Sequence, residues 1–179
     1  FIWIGLTGIG FIALFLSMEQ YRLERLVIWK NPEVHEKGFQ TIQGLYAIGS
    51  GGLFGTGFGK GIQKLGFVPE AQNDMIFSII CEENGLIGAI LLLTLFLILL
   101  WRFMVIATHA RDRLGAFLAA GIMAHIAIQV ILNVAVVTNS IPNTGITLPF
   151  ISYGGTSSLF LLAEMGVALA VSRWQNRQA

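Results

Sequence analysis

The residues able to do chemistry are concentrated between Gly49 and Glu83, a polar, glycine-dense stretch that closes in PEAQNDMIFSIICEE and lies between apolar runs. Seven of the thirteen residues from 49 to 61 are glycine, in GSGGLFGTGFGKG, which permits positive φ and close backbone approach but does not sustain a regular helix. Lys60 and Lys64 tilt the loop towards an anion. Nucleotide binding fails its fingerprints. Lys60 is not followed by Ser or Thr, Phe54 stands where a Walker loop needs glycine, and no glycine pair continues as G-x-G-x-x-G after a strand. Tight folding of the loop against membrane helices accounts for the glycines equally well. After Pro69, Asn73 or Asp74 is placed to cap a helix starting at Met75, with Ile76, Phe77, Ile79 and Ile80 on its apolar side.

The elements that must position this stretch are membrane helices. Apolar residues make up 55% of the 179-residue chain and charged residues 12%, with a mean hydropathy of +0.73, far from the soluble average of about a quarter charged. A net charge of +1 gives no global field for nucleic acid. The single Cys81 excludes an internal disulfide and a cysteine metal cluster. The chain begins at Phe1 inside an apolar run, with no initiator Met or basic n-region, which reads as a truncated first span and not as a signal peptide.

Taken in order, residues 1–18 form that span, and 19–83 a large loop whose Tyr21, Arg22, Arg25, Trp29 and Lys30 mix aromatic and charged groups as an interface does. Within it, Phe39, Ile42 and Tyr46 fall at helical spacing and predict a short amphipathic helix over 38–48, lying on the bilayer surface or on the spans. A second span covers 84–108, a basic turn 109–113, a third span 114–137, an irregular loop 138–154, a fourth span 155–172 and a tail 173–179. Arg102, Arg111, Arg113, Arg173 and Arg177 flank the short turn and the tail, placing both in the cytoplasm and the 138–154 loop outside. The 19–83 loop carries six Lys or Arg and eight acids, too long for that rule, and falls outside by alternation.

Two polar features lie within the apolar runs. His125, Gln129 and Asn133 recur at i, i+4, i+8 on one face of the third span, and Glu164 interrupts the fourth. Counted from the cytoplasmic ends, His125 lies roughly 18 Å deep and Glu164 roughly 13 Å, less than a helical turn apart, which predicts an interhelical contact. A structural hydrogen bond between packed spans is favoured over a proton or substrate route. The segment NTGITLPFISYGG, 143–155, is too irregular to face lipid and reads as the wall of a cavity in preference to an ordinary external loop.

Several separated segments then carry a family resemblance: YRLERL at 21–26, GFQTIQGLYAIGSGGLFGTGFGKGIQK at 38–64, PEAQND at 69–74, EENGLIGA at 82–89 and TLPFISYGGTSSL at 147–159. In this order they resemble the SEDS family (shape, elongation, division and sporulation), and the form of Thr147-Leu148-Pro149 is more like its FtsW and SpoVE branch than its RodA branch. The resemblance implies an all-α integral membrane protein of about ten spans, of which this chain would supply four and one large external loop. It also implies a glycosyltransferase of the bacterial inner membrane that polymerises lipid II into peptidoglycan strands with a class B penicillin-binding protein. The acid of the P-E-x-x-x-D motif is then catalytic, at Pro69, Glu70 and Asp74 here. Asn73, Met75 and Asn84 stand where many relatives have Thr, Phe and Leu, which touches substrate contacts more than chemistry.

Glycosyl transfer from a lipid diphosphate needs a base for the acceptor hydroxyl proton and positive charge, or a divalent cation such as magnesium or manganese, for the leaving diphosphate. Asp74 is the candidate base. Glu70, Lys60, Lys64 and Gln63, with Ser152, Tyr153, Gly154 and Gly155 of the cavity wall, are candidates for substrate contacts. Glu82 and Glu83 suit capping or interface roles at least as well as chemistry. A lipid-precursor flippase would use the membrane stripe instead of Asp74, and a noncatalytic scaffold of the division machinery would use neither.

Overall fold

In a computed structural model, residues 20–35, 38–68 and 71–176 are described; the first-span reading and Pro69 and Glu70 lie outside them. Five α-helices occur among these residues, with no strand: α1 (Gln20–Lys30), α2 (Phe39–Gly51), α3 (Ile76–Thr108), α4 (Arg113–Val137) and α5 (Gly155–Asn176). A single 3₁₀ turn, Pro32–Val34, joins α1 to α2.

Three of the helices are long and apolar enough to cross a bilayer: α3, α4 and the Gly155–Arg173 part of α5. Each exceeds the ~17 residues that a hydrocarbon layer requires. They pack as an antiparallel set around Phe96, Phe103, Ile122, Ile126, Val130 and Leu161, all buried. Helix α2 lies against the first turns of α3.

Helix α2 occupies the expected place and packs on α3 by its small residues, with the apolar stripe turned away. Its buried residues are Gly44, Ala47 and Gly51, whereas Phe39 is 46% and Tyr46 61% exposed. Backbone proximity explains the choice of face. A Cβ on Gly51 would stand 1.9 Å from the Cys81 carbonyl oxygen, and one on Gly44 would stand 2.6 Å from Met75 Cε, so only small residues let α2 approach α3 this closely.

The start of α3 also departs from expectation. The helix begins at Ile76 with Met75 as N-cap, and neither Asn73 nor Asp74 caps it. The Asp74 backbone carbonyl is instead taken by Asn133 of α4, 2.8 Å away, which draws the residue towards the bundle. Nine residues on, α3 is broken at Gly85, whose φ of 65° and ψ of −166° are open to glycine and strained for any other residue.

Candidate active site around Asp74

The break at Gly85 exposes backbone groups, and the glycine-rich loop supplies their partners. The amides of Leu86 and Ile87 donate to the carbonyls of Gly52 and Leu53, at 2.9 and 3.2 Å. In the opposite sense, the amides of Thr56 and Gly57 donate to the carbonyls of Glu82 and Glu83, at 2.9 and 3.0 Å. The loop thus replaces the helical hydrogen bonds that the break removes, as non-helical backbone inside a membrane protein requires. No Cβ fits at the crossing, since one on Gly85 would lie 2.4 Å from the Gly55 nitrogen.

Two buried carboxylates complete this join. Glu82 accepts from the amides of Ile62, at 2.9 Å, and Gln63, at 3.3 Å. Glu83 accepts from the Gly59 amide at 3.0 Å and from Lys64 Nζ at 2.6 Å. The anion that the glycine loop wraps is therefore the chain's own pair of glutamates. Lys64, a candidate for substrate contact, has its ammonium on Glu83, while Lys60 is exposed on the loop. Gln63 is partly buried, with its amide on Glu82.

Asp74 sits where three segments converge. Gln40 of α2 donates to its Oδ1 at 3.3 Å, Asn133 of α4 holds its carbonyl, and the Tyr153 amide donates at 2.8 Å to the carbonyl of nearby Gln72. Gln40 is held in turn by the Asn143 side-chain amide at 3.4 Å, and the Asn143 carbonyl accepts from the Arg25 guanidinium. Trp29 Nε1 donates to the Asn139 carbonyl at 2.9 Å, tying α1 to the same loop. A cleft of about 160 Å³ between Arg25, Trp29, Gln40 and Asn143 opens beside this relay.

The 143–155 segment is irregular and turns inward. Leu148 and Pro149 are buried, the Leu148 amide donates to Ser152 Oγ at 2.7 Å, and Phe150 takes a positive φ of 64°. Asn133 Nδ2 also donates to the Ile146 carbonyl at 2.8 Å, so one fully buried side chain bridges this segment and the Asp74 backbone. Ser152, Tyr153, Gly154 and Gly155, with Gln72 and Ile76, line a hollow of about 450 Å³ on the Gln72 side of the junction. These four candidate substrate residues and the candidate base Asp74 are brought to one end of the bundle through Gln72.

His125 and Glu164 meet as the depth count predicts. His125 Nδ1 lies 2.9 Å from Oε1 and 3.1 Å from Oε2 of Glu164, with the carboxylate accepting. Asn133, on the same stripe, serves the Asp74 junction instead. Gln40, Asn143 and Arg25 were not singled out as site residues from the sequence. Their polar side chains inside the quoted segments at 21–26 and 38–64, and beside the prolines near 142, were the available signal. Among the described residues, no three His, Cys, Asp or Glu side chains gather as a metal site.

The family profile covering FtsW, RodA and SpoVE, described as cell cycle protein, matches residues 1–177. The chain belongs to the FtsW/RodA/SpoVE family. Among its relatives, stage V sporulation protein E of Bacillus subtilis is 51% identical over 177 residues, covering 97% of this chain and 48% of the relative. The probable peptidoglycan glycosyltransferase FtsW of Trichlorobacter lovleyi is 45% identical over 170 residues, covering 94% and 45%. The chain spans about half the length of the curated relatives it matches. Among solved structures, a chain from work on the structural coordination of polymerization and crosslinking by a peptidoglycan synthase complex superposes with a TM-score of 0.75 at 26% identity, covering 98% of this chain and 49% of that one. A mutant form of the rod shape determining protein RodA of Thermus thermophilus superposes with a TM-score of 0.59 at 34% identity, covering 74% and 40%. The membership of the FtsW/RodA/SpoVE family that the separated motifs suggest is thus established over nearly the whole chain.

Proposed function

We propose that this chain contributes the catalytic loop, and the spans around it, of a peptidoglycan glycosyltransferase that polymerises lipid II. The observation that carries the reading is the placement of Asp74, with one carboxylate oxygen on Gln40, beside a hollow lined by the ISYGG segment. The names of the relatives point the same way. In the proposed reaction the Asp74 carboxylate takes the proton of the acceptor sugar hydroxyl, and that oxygen attacks the anomeric carbon of the lipid-linked donor. The bond from that carbon to the diphosphate oxygen breaks, and the diphosphate leaves on its lipid.

Asn133 and Gln40 orient the base, by its carbonyl and its carboxylate respectively. Lys60, exposed on the loop, is the cation offered to the leaving diphosphate, since Lys64 is paired with Glu83. A magnesium or manganese ion is the alternative source of positive charge, with Asp74 as a carboxylate oxygen ligand, the donor type such hard cations take. In the complete protein we place four spans of this chain within a bundle of about ten, the 19–83 loop outside and the tail in the cytoplasm. The crosslinking partner is proposed to be a class B penicillin-binding protein.

The test uses the complete protein with its partner, given lipid II in detergent, and compares wild type with Asp74→Asn. Glycan polymer from wild type and none from the variant is expected. Absence of polymer from wild type overturns the enzyme reading, and unchanged polymer from the variant overturns Asp74 as the base. Transport is the second reading, attached to the His125–Glu164 pair, and it makes no polymer.

A further inference from the structure

The glycine loop presents an apolar surface that its hydrogen bonding leaves unexplained. Leu53 is 61% exposed, Phe54 80% and Phe58 88%, all on a loop whose backbone is fixed to α3. The partners of that backbone set its height. Leu53 bonds to Ile87, and Ile87 lies 21 residues from the end of α3 at Thr108, about 32 Å along the axis against a hydrocarbon layer of ~30 Å. Beyond Thr108 the turn carries His109, Arg111, Asp112 and Arg113, which belongs outside the hydrocarbon at that end. Leu53 and Phe54 therefore stand level with the opposite hydrocarbon boundary.

The surface is also continuous with the exposed side of the span. Leu86, Ile87, Ile90 and Leu91 are exposed on the first turns after the break, and the loop residues bonded to this segment extend the same apolar surface. Glu82 and Glu83 are buried and Lys64 is turned onto Glu83, which leaves the exposed Lys60, two residues past Phe58, as the charge at the edge of this surface, where a lysine reaches the headgroup level. The bonds across Gly85 pair the Leu53 carbonyl and the Thr56 and Gly57 amides, and the interfacial zone, unlike the hydrocarbon, supplies water for the remaining backbone groups.

We propose that residues 53–58 form a membrane-dipping ridge, with Leu53, Phe54 and Phe58 immersed in the interfacial zone of the leaflet nearest the break. The occupant of this surface is lipid. Aromatic residues are favoured at that level, where an apolar body meets a wet boundary. The inference does not rest on the glycosyltransferase reading, because it concerns only the height and chemistry of the loop.

Nitroxide labels at Phe54→Cys and Phe58→Cys, one at a time in a Cys81→Ala background without other cysteines, test it in the complete protein reconstituted into phosphatidylcholine and phosphatidylglycerol vesicles. Collision rates with dissolved oxygen and with a water-soluble nickel chelate are compared with those of a label at Glu33→Cys, exposed in the turn between α1 and α2. Oxygen collisions exceeding nickel collisions at both sites, with the order reversed at position 33, is the expected result. Nickel in excess at 54 and 58 places the ridge in water and overturns the proposal. Low rates for both colliders show that protein covers it, and overturn it equally. As an independent reading, the added fluorescence of Phe58→Trp should be quenched by lipids brominated near the glycerol. Quenching by aqueous iodide alone refutes lipid contact.

Discussion

Gly85→Ala is the most direct test of the join between the glycine loop and α3. The new Cβ would lie 2.4 Å from the Gly55 nitrogen and 2.5 Å from the Leu53 oxygen, both backbone atoms that no rotamer change can move aside. At φ 65° and ψ −166° the alanine would carry an additional strain of about 1–3 kcal/mol if the geometry were kept. The chain's way out is to lift the loop, which gives up the four hydrogen bonds from Leu86, Ile87, Thr56 and Gly57. At about 1 kcal/mol net for each, the loss is about 4 kcal/mol, close to three decades in the equilibrium for opening. Amide hydrogen exchange in detergent micelles or nanodiscs reads this directly. Protection of the amides at 56, 57, 86 and 87 should fall by about three orders of magnitude, while amides of the α4 interior keep theirs. Unchanged protection at these four positions would refute the account of the loop as the partner of the broken helix.

Three further changes separate the remaining contacts. Asn133→Leu removes the donor shared by the Asp74 and Ile146 carbonyls, and with two acceptors left unpaired should cost about 2–4 kcal/mol, seen as a lower unfolding midpoint in detergent. An unchanged midpoint would show that water replaces the bridge without loss. A double-mutant cycle of His125→Ala and Glu164→Ala should return a coupling of about 0.5–2 kcal/mol, and additivity of the two would mean the pair contributes nothing to packing. If the proposed role of Asp74 holds, Gln40→Leu in the complete protein should lower glycan polymer formation from lipid II while leaving the unfolding midpoint nearly unchanged; a matching fall in both would make Gln40 a structural residue only.

What the sequence disclosed follows from which physics is local. Charge-free apolar runs mark α3, α4 and α5 because hydrophobic length is a one-dimensional property. The His125–Glu164 contact was within reach because a straight helix converts residue number into depth at a fixed rise. Glu82 and Glu83, which suit capping or interface roles at least as well as chemistry, hold the loop by its amides and by Lys64. The face by which α2 packs on α3 was not legible because periodicity weighs apolar side chains and is blind to glycine and alanine, which pack by letting backbones approach. Gly85 was unreadable as a break, since NGLIGA in an apolar run looks like ordinary helix until the loop's hydrogen bonds are seen. Asn73 and Asp74 are good caps in isolation, yet Asn133, 59 residues away, claims the Asp74 carbonyl. Gln40 and Asn143, 103 residues apart, meet only through the fold.

The join at Gly85 also fixes the chain length between Gly52 and Gly57. Four bonds to α3 fix both ends of this short segment, in two directions. Deleting or inserting a single residue there would shift every donor and acceptor out of step at once. Peptide tags or fluorescent reporters for this side of the protein therefore belong in the exposed Leu65–Phe67 stretch, beyond the last amide held by Glu82, and not among the glycines that look so accommodating.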